Sequence, residues 1–190
     1  MTAELPLLPT TASFPARMGA VVAGAAAMAL ASQVAIPMPP VPLTLQTYAV
    51  FVLSALLGGS LTLRAVLIWL AVGAVGLPVF ADGGSGPEAL FGAGQGYLFG
   101  MAVAGALAGY ALQRRSAGFV ALVVTFLAGH ALVLAMGWMG LLDRMDPGPA
   151  FAAGVTPYLP GAVFKSLAAA ATVHAMKLAL GRRAGLEAGE

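Results

Sequence analysis

Lys165 is the residue whose position most directly suggests chemistry. It lies inside the apolar run of residues 163–176, soon after the helix-breaking pair Pro160-Gly161. A charge within a membrane-spanning helix is costly unless it faces a cavity or a partner. We therefore interpret Lys165 as part of a ligand site.

Two other segments carry groups suited to ligand contact. The proline-rich segment PVPLTLQT at residues 40–47 has fixed φ angles and few N–H donors, which predicts a rigid extended plug that brings Thr44 and Gln46 into a helix. Glycines within residues 76–96, including Gly83 and Gly84, let backbone approach a ligand closely, and Tyr97 follows them. Capping by Thr44, a helix–helix hydrogen bond by Gln46, a flexible glycine lid and an interfacial position for Tyr97 are the alternatives.

The remaining reactive residues do not form a catalytic or metal-binding set. Cysteine is absent, and neither His130 nor His174 has a second ligand at suitable spacing. Ser166 and His174 would lie about 12 Å apart along one helix, too far for a nucleophile–base pair. The sequence also lacks the GxxxxGK[ST] phosphate-binding motif. We therefore predict no metal, no cofactor, no ATP site and no enzymatic activity, which disfavours an intramembrane hydrolase.

The composition is that of an all-α, polytopic integral membrane protein. Hydrophobic residues make up 60% and charged residues 8%, whereas soluble proteins carry roughly 25% charged residues. Mean hydropathy is +0.93. The net charge of +2 is too small for a nucleic-acid surface. The start of the chain lacks the basic region of a cleaved signal peptide, and no linker divides the predicted single membrane domain of residues 1–190.

A helix needs about 20 apolar residues to cross a membrane. On that basis we predict six transmembrane helices, at about 17–35, 44–59, 62–80, 95–113, 117–139 and 158–181. The short second span indicates tilt or a partly re-entrant start. Gly58-Gly59 and Arg114-Arg115-Ser116 are predicted to be tight turns.

The basic residues predict the orientation of these spans. If the spans alternate, one side of the membrane carries Arg17, Arg64, Arg114, Arg115, Lys177, Arg182 and Arg183, and the other carries only Arg144. The positive-inside rule then places both termini in the cytoplasm. The longer outer connections, at 36–43, 81–94 and 140–157, indicate a protein that receives a ligand from outside.

Small residues recur every four positions in the first span, at Ala23, Ala27 and Ala31. Such a stripe lets another helix approach closely. It predicts either docking to a membrane partner or packing within the protein.

Four motifs occur in an order that resembles the BioY family, the biotin-binding S components of energy-coupling factor (ECF) transporters. They are PVPLTLQT at 40–47, GLPVFA at 76–81, GYL at 96–98, and Leu159-Pro160-Gly161 followed by Lys165. The resemblance covers about residues 17–180 and all six predicted spans.

The resemblance implies a compact six-helix unit in a bacterial cell membrane that binds biotin at its outer face. It also implies a transmembrane T subunit and paired ATPases as partners, with the T subunit contacting the alanine stripe. Lys165 would balance the biotin carboxylate, while Gln46 and backbone groups would suit the ureido ring.

The chain departs from the family pattern at the proposed site. Ala162 stands where the family usually has an aspartate before the lysine, and Asp82 stands where a glycine is usual. We expect Asp82, Ser85 or Gln95 to replace the hydrogen-bonding role of the missing carboxylate. An S component for another vitamin, such as thiamine or riboflavin, and a self-sufficient small-molecule carrier remain the alternative functions.

Overall fold

The structure, a computed structural model, describes Pro6 and residues 12–113 and 117–187, with side chains as far as Gly181. Two short strands, β1 (Ala35–Ile36) and β2 (Leu43–Thr44), pair antiparallel. Single 3-10 turns occur at Ala81–Gly83 and Thr156–Tyr158. The helices are α1 (Phe14–Gln33), α2 (Gln46–Ala74), α3 (Gly86–Leu90), α4 (Gln95–Gln113), α5 (Phe119–Met139), α6 (Pro147–Gly154) and α7 (Leu159–Glu187).

The helices form a membrane-spanning bundle. Within the described residues, five helical stretches are long and apolar enough to cross a bilayer: α1, α2, α4, α5 and the Pro147–Gly181 stretch that contains α7. Large apolar side chains point outward, including Leu30, Val120 and Phe164, each more than 70% exposed. Such a surface suits lipid rather than water, and the predicted all-α membrane class is confirmed.

Helix α2 reverses direction at Gly58. This residue has φ 76° and ψ 174°, a backbone conformation essentially restricted to glycine. Val50 and Thr62 would be about 18 Å apart along a straight helix. A Cβ built on Gly105 would nevertheless lie 2.6 Å from Val50 Cγ2 and 3.2 Å from Thr62 Cγ2. Residues 46–57 and 59–74 therefore run antiparallel, which accounts for the second and third predicted spans.

The predicted end of the third span at residue 80 was wrong. The helix stops at Ala74 because Gly76 has a positive φ of 107° and Pro78 follows it. Pro78 lacks the N–H that a helix interior requires. The predicted turn at Arg114-Arg115-Ser116 lies outside the described residues.

The two halves of α2 form the centre of the bundle. Helix α2 packs against α1, α4, α5 and α7. Helix α4 crosses its turn closely, and a Cβ on Gly109 would lie 2.6 Å from the carbonyl carbon of Gly58. Phe51 and Trp69 on α2 and Phe126 on α5 are buried in the core. The bundle thus holds α1, α4, α5 and α7 around α2.

The backbone conformation of Gly58 predicts how a substitution there changes the stability of the protein. Replacing Gly58 with alanine should lower the free energy of unfolding by about 1–3 kcal/mol, since the conformation is strained for any residue with a Cβ. The new methyl group would also collide with the side chain of Gln113. Unfolding in mixed detergent micelles measures the change.

Gly19→Ala is the matched control because a Cβ there meets nothing within 4 Å. It should leave stability unchanged or raise it slightly. Equal losses from the two substitutions would show that Gly58 does not set the reversal.

Candidate functional site

A cavity of about 320 Å³ lies where α2, α4, α5 and α7 meet the segments that join the helices at one end of the bundle. This volume is within the range of small-molecule sites, roughly 300–1,000 Å³. The walls are mostly apolar, and their principal apolar residues are Val41, Leu43, Leu98, Met101, Val133, Leu134 and Ala162. Such a cavity suits a small ligand with an apolar body.

Lys165 lines this cavity, as its position in the sequence predicts. Its side chain runs back toward the start of α7, because helical side chains tilt toward the helix N-terminus. Its Nζ donates a hydrogen bond to the carbonyl of Thr44 at 3.0 Å. The ion pair found within the described part of the chain is between Arg144 and Asp143, at 3.5 Å. Lys165 thus presents a cation to the cavity with no carboxylate partner among the described residues.

The proline-rich segment forms an ordered plug beside Lys165. Its β2 pairs with β1 through Ala35 with Thr44 and Ile36 with Leu43. The Tyr158 hydroxyl donates to the carbonyl of Val41 and ties the segment to the turn before α7. The predicted plug is extended at Leu43–Thr44 and bends at residues 39–41. Its rigidity stays a prediction.

Gln46 lines the cavity, but its amide group is engaged within the protein. Thr44 Oγ1 donates to Gln46 Oε1 at 2.7 Å, and Gln46 Nε2 donates to Ser32 Oγ at 2.8 Å. Ser32 Oγ in turn donates to the carbonyl of Met28 at 2.8 Å. This buried chain of hydrogen bonds fixes the plug and the start of α2 to α1.

The glycine-rich segment contributes only some of its predicted residues. Asp82 and Gly84 line the cavity, whereas Gly83, Ser85 and Gln95 are not among its lining residues. The segment is anchored at its start. Phe80 packs edge-on against Trp69 at 5.4 Å, and its carbonyl accepts a hydrogen bond from Gln33 Nε2 at 3.1 Å.

Tyr97 has both a cavity-facing ring and a structural hydrogen bond. Its ring lines the cavity, and its hydroxyl donates to the carbonyl of Gly154 at 2.6 Å. Tyr97 therefore ties α4 to α6. An alanine at Gly154 would place its Cβ 2.6 Å from this hydroxyl, so the contact requires glycine.

Four polar residues of the cavity wall were not predicted as site residues from the sequence: Thr47, Glu88, His130 and Tyr158. His130 is 3% exposed and lies within a strongly apolar helix. His130, like Lys165, is a polar side chain inside an apolar span, and that position was a signal of a site residue. For Tyr158 the sequence offered a weaker indication of a site residue: it directly precedes the Leu159-Pro160-Gly161 motif.

The alanine stripe of α1 lies away from the cavity and changes environment along its length. Ala23 is exposed, Ala27 is half-buried and Ala31 is buried. Residues spaced by four drift about 40° around a helix at each step. The stripe therefore winds from the surface into the interior, and Gly19 extends its exposed end.

The fold and the cavity define a membrane-embedded protein built to hold a small ligand at one end of a helical bundle. The chain belongs to the BioY family, whose sequence model matches residues 6–182. The chain is 35% identical to the biotin transporter BioY2 of Lactococcus lactis subsp. cremoris, over 76% of this chain and 80% of that protein. It is 33% identical to a probable biotin transporter BioY of Pyrococcus horikoshii, over 77% and 86% of the two chains.

A solved structure has the same fold. It is the crystal structure of the S-component for biotin from an ECF-type ABC transporter, which matches with a TM-score of 0.77 and 21% identity. The match covers 87% of this chain and 94% of that chain. At this identity the match establishes the architecture of the bundle.

The hydrogen-bonded chain through Gln46 predicts a mainly structural role for its amide. Gln46→Leu should lower the free energy of unfolding by about 1–3 kcal/mol, because the Thr44 hydroxyl loses its acceptor and the buried Ser32 hydroxyl loses a donor. Gln95→Leu is the matched control: Gln95 is only half-buried, and the expected change is within about 0.5 kcal/mol. Equal stability of the two variants in detergent would contradict this role.

Proposed function

We propose that this protein is the biotin-binding S component of an ECF-type vitamin uptake transporter. It captures biotin at the extracytoplasmic face and delivers it together with a T subunit and ATPases. The observation that carries the proposal is the ammonium of Lys165, which faces an apolar cavity without a carboxylate partner in the described chain. Membership of the BioY family and the names of the relatives support biotin as the ligand.

Biotin matches the chemistry of the cavity. Its carboxylate would meet Lys165 in a partly buried site, where an ion pair is screened less than at an exposed surface. Its bicycle and carbon chain would pack on the apolar wall formed by residues such as Leu98, Met101 and Val133. Charge recognition at one point and apolar contact elsewhere is the usual design of a small-molecule site.

We further propose that the cavity opens to the outside of the bacterial cell membrane and that both termini are cytoplasmic. The turn at Gly58, the start of α1 and the end of α7 lie at the end of the bundle away from the cavity, and Arg17, Arg64 and Lys177 are close to them. Asp82, Asp143 and Asp146 lie in the connections at the cavity end. The positive-inside rule places the basic end in the cytoplasm.

The Lys165 proposal predicts how ligand affinity changes. Biotin should bind the purified solitary protein in detergent without ATP. Lys165→Met should weaken biotin binding by about 2–5 kcal/mol, the range for removing one partner of a buried charge pair. The methyl ester of biotin should bind the wild type more weakly than the acid does, and Lys165→Met should remove this preference. Calorimetry or radioligand binding measures all four affinities.

Lys177→Met is the matched control. Lys177 is also a buried lysine bonded to a backbone carbonyl, that of Ala117 at 2.7 Å, but it lies at the other end of the bundle. Its substitution should leave biotin affinity unchanged. Saturable binding of thiamine or riboflavin, without binding of biotin, would overturn the assignment of biotin as the substrate. Equal affinity of the wild type for biotin and its methyl ester would show that Lys165 does not bind the carboxylate. Its role would then be structural, through its hydrogen bond to the carbonyl of Thr44.

We propose that the T subunit docks on the exposed part of the α1 stripe, around Gly19 and Ala23. Both residues are exposed, and a Cβ on Gly19 meets nothing within 4 Å. Small side chains at such a surface allow another transmembrane helix to approach closely. Ala27 would border this surface, while Ala31 packs inside the protein.

A large side chain at Ala23 should block assembly with the partner subunits without affecting ligand binding. Ala23→Trp should keep the biotin affinity of the solitary protein but abolish its co-purification with the T subunit and ATPases and stop ATP-driven uptake. Val120→Trp, on the exposed start of α5, is the control and should assemble normally. Normal assembly of the Ala23 variant would place the docking surface elsewhere.

A further inference from the structure

Two residues of the cavity wall each carry a buried polar atom that lacks a hydrogen-bond partner among the described residues. The atoms are Nε2 of His130 and Oγ1 of Thr47. Burying a polar atom without a hydrogen bond costs free energy, so such atoms are rare unless a ligand or water satisfies them. Oγ1 of Thr62 is also unpartnered, but Thr62 is not among the residues that line the cavity. His130 Nε2 and Thr47 Oγ1 therefore indicate a second polar part of the ligand site, separate from Lys165.

The surroundings of the His130 ring assign its tautomer. Nδ1 lies 3.1 Å from the carbonyl oxygen of Phe126 and 2.8 Å from Oγ of Ser166. A carbonyl oxygen can only accept a hydrogen bond, so we assign the ring hydrogen to Nδ1. Nε2 then carries a free lone pair, buried on a residue that lines the cavity. It can accept a hydrogen bond from a ligand but cannot donate one.

Thr47 and His130 belong to the same part of the wall. The ring of His130 packs against the ring of Phe51, with centroids 4.7 Å apart. Thr47 lies four residues before Phe51 on α2, so the two side chains occupy the same face of that helix. Thr47 is therefore about one helical turn along α2 from Phe51, the residue whose ring packs against His130. Thr47 and His130 are thus both neighbours of Phe51, and both line the cavity.

We propose that His130 and Thr47 recognise an N–H and C=O unit of the ligand, of the kind found in a urea or a cyclic amide. His130 Nε2 accepts a hydrogen bond from the ligand N–H, and the Thr47 hydroxyl donates to the ligand carbonyl. The carbonyl of Phe126 favours this tautomer, and Ser166 acts as a positioning residue, because its hydroxyl shares the Nδ1 hydrogen as a second acceptor.

This inference rests on the proposed biotin function and adds a second point of recognition to it. Lys165 selects the carboxylate, while His130 and Thr47 select the ureido ring. Ala162 is buried on the cavity wall beside this site and offers no side-chain hydrogen bond. An imidazole acceptor supplies hydrogen-bonding capacity that an alanine at this position lacks. A site built to bond an N–H strongly rejects an analogue without it, since its own polar atom stays unpaired.

Two isosteric analogues of biotin test the N–H contact. In each, one ureido N–H is replaced by oxygen, which gives a cyclic carbamate. The wild type should bind one of these analogues roughly ten- to hundredfold more weakly than biotin. His130→Phe should lose biotin affinity by a similar factor and bind biotin and that analogue about equally. His130→Gln, whose amide oxygen can accept, should recover part of the affinity.

Matched threonine variants test the second contact. Thr47→Val should weaken biotin binding by roughly three- to thirtyfold, because an isosteric methyl group replaces the hydroxyl donor. Thr62→Val should leave biotin affinity unchanged, although its hydroxyl is equally unpartnered. The proposal is overturned if His130→Phe discriminates the analogue as the wild type does, or if the two valine variants have equal affinity.

The tautomer has a readout that does not depend on ligand affinity. The sequence holds two histidines, so a His174→Gln variant leaves His130 as the source of the remaining imidazole signals. Its ¹⁵N spectrum without ligand should show one bare and one protonated ring nitrogen, with Nε2 bare. A protonated Nε2 would overturn the assignment. Absence of biotin binding to the wild type would instead reject the proposed substrate, and the two failures are therefore distinguishable.

Discussion

The hydrogen bond between Lys165 Nζ and the carbonyl of Thr44 joins the two parts of the site. One partner is a cation placed inside a membrane-spanning helix. The other is a backbone carbonyl in the proline-rich plug. A lysine in an apolar span needs such an oxygen, because an unsatisfied ammonium in a bilayer is costly. The plug must therefore remain where α7 can reach it, and much of the remaining structure holds it there.

Three further contacts support this arrangement. The plug is fixed to α1 through Gln46 and Ser32, and to the turn before α7 through Tyr158 and Val41. Next to Tyr158, with ring centroids 6.0 Å apart, Tyr97 joins α4 to α6 through Gly154. Each uses polar groups that would otherwise be unpaired in an apolar environment. The same constraint makes the unpartnered atoms of Thr47 and His130 informative, since their neighbours are satisfied.

The sequence predicted the membrane class, the number of spanning segments and the ordered plug, because these follow from hydropathy and from proline. It also selected Lys165, whose charge conflicts with its surroundings in any apolar span. It could not show that the Gln46 amide is engaged by Ser32 and Thr44, because that depends on how α1 and α2 pack. Nor could it separate Asp82 and Gly84, which line the cavity, from Gly83 and Ser85. In an irregular segment, which residues face a cavity depends on backbone angles that glycines leave open.

The alanine stripe shows a similar limit. A four-residue repeat identifies small side chains, but the slow rotation of such a repeat around the helix places its members in different environments. Ala23 lies on the surface and Ala31 in the core. The proposed docking surface therefore lies in the first half of α1, away from the cavity. This separation would let a ligand site and the proposed docking surface act on the same compact unit.

The most direct test of the central claim is an experimental structure of the protein with biotin bound. The account predicts that biotin occupies the cavity between α2, α4, α5 and α7, with its carboxylate within hydrogen-bond distance of Lys165 Nζ. A structure with biotin outside this cavity, or with its carboxylate remote from Lys165, would contradict the account.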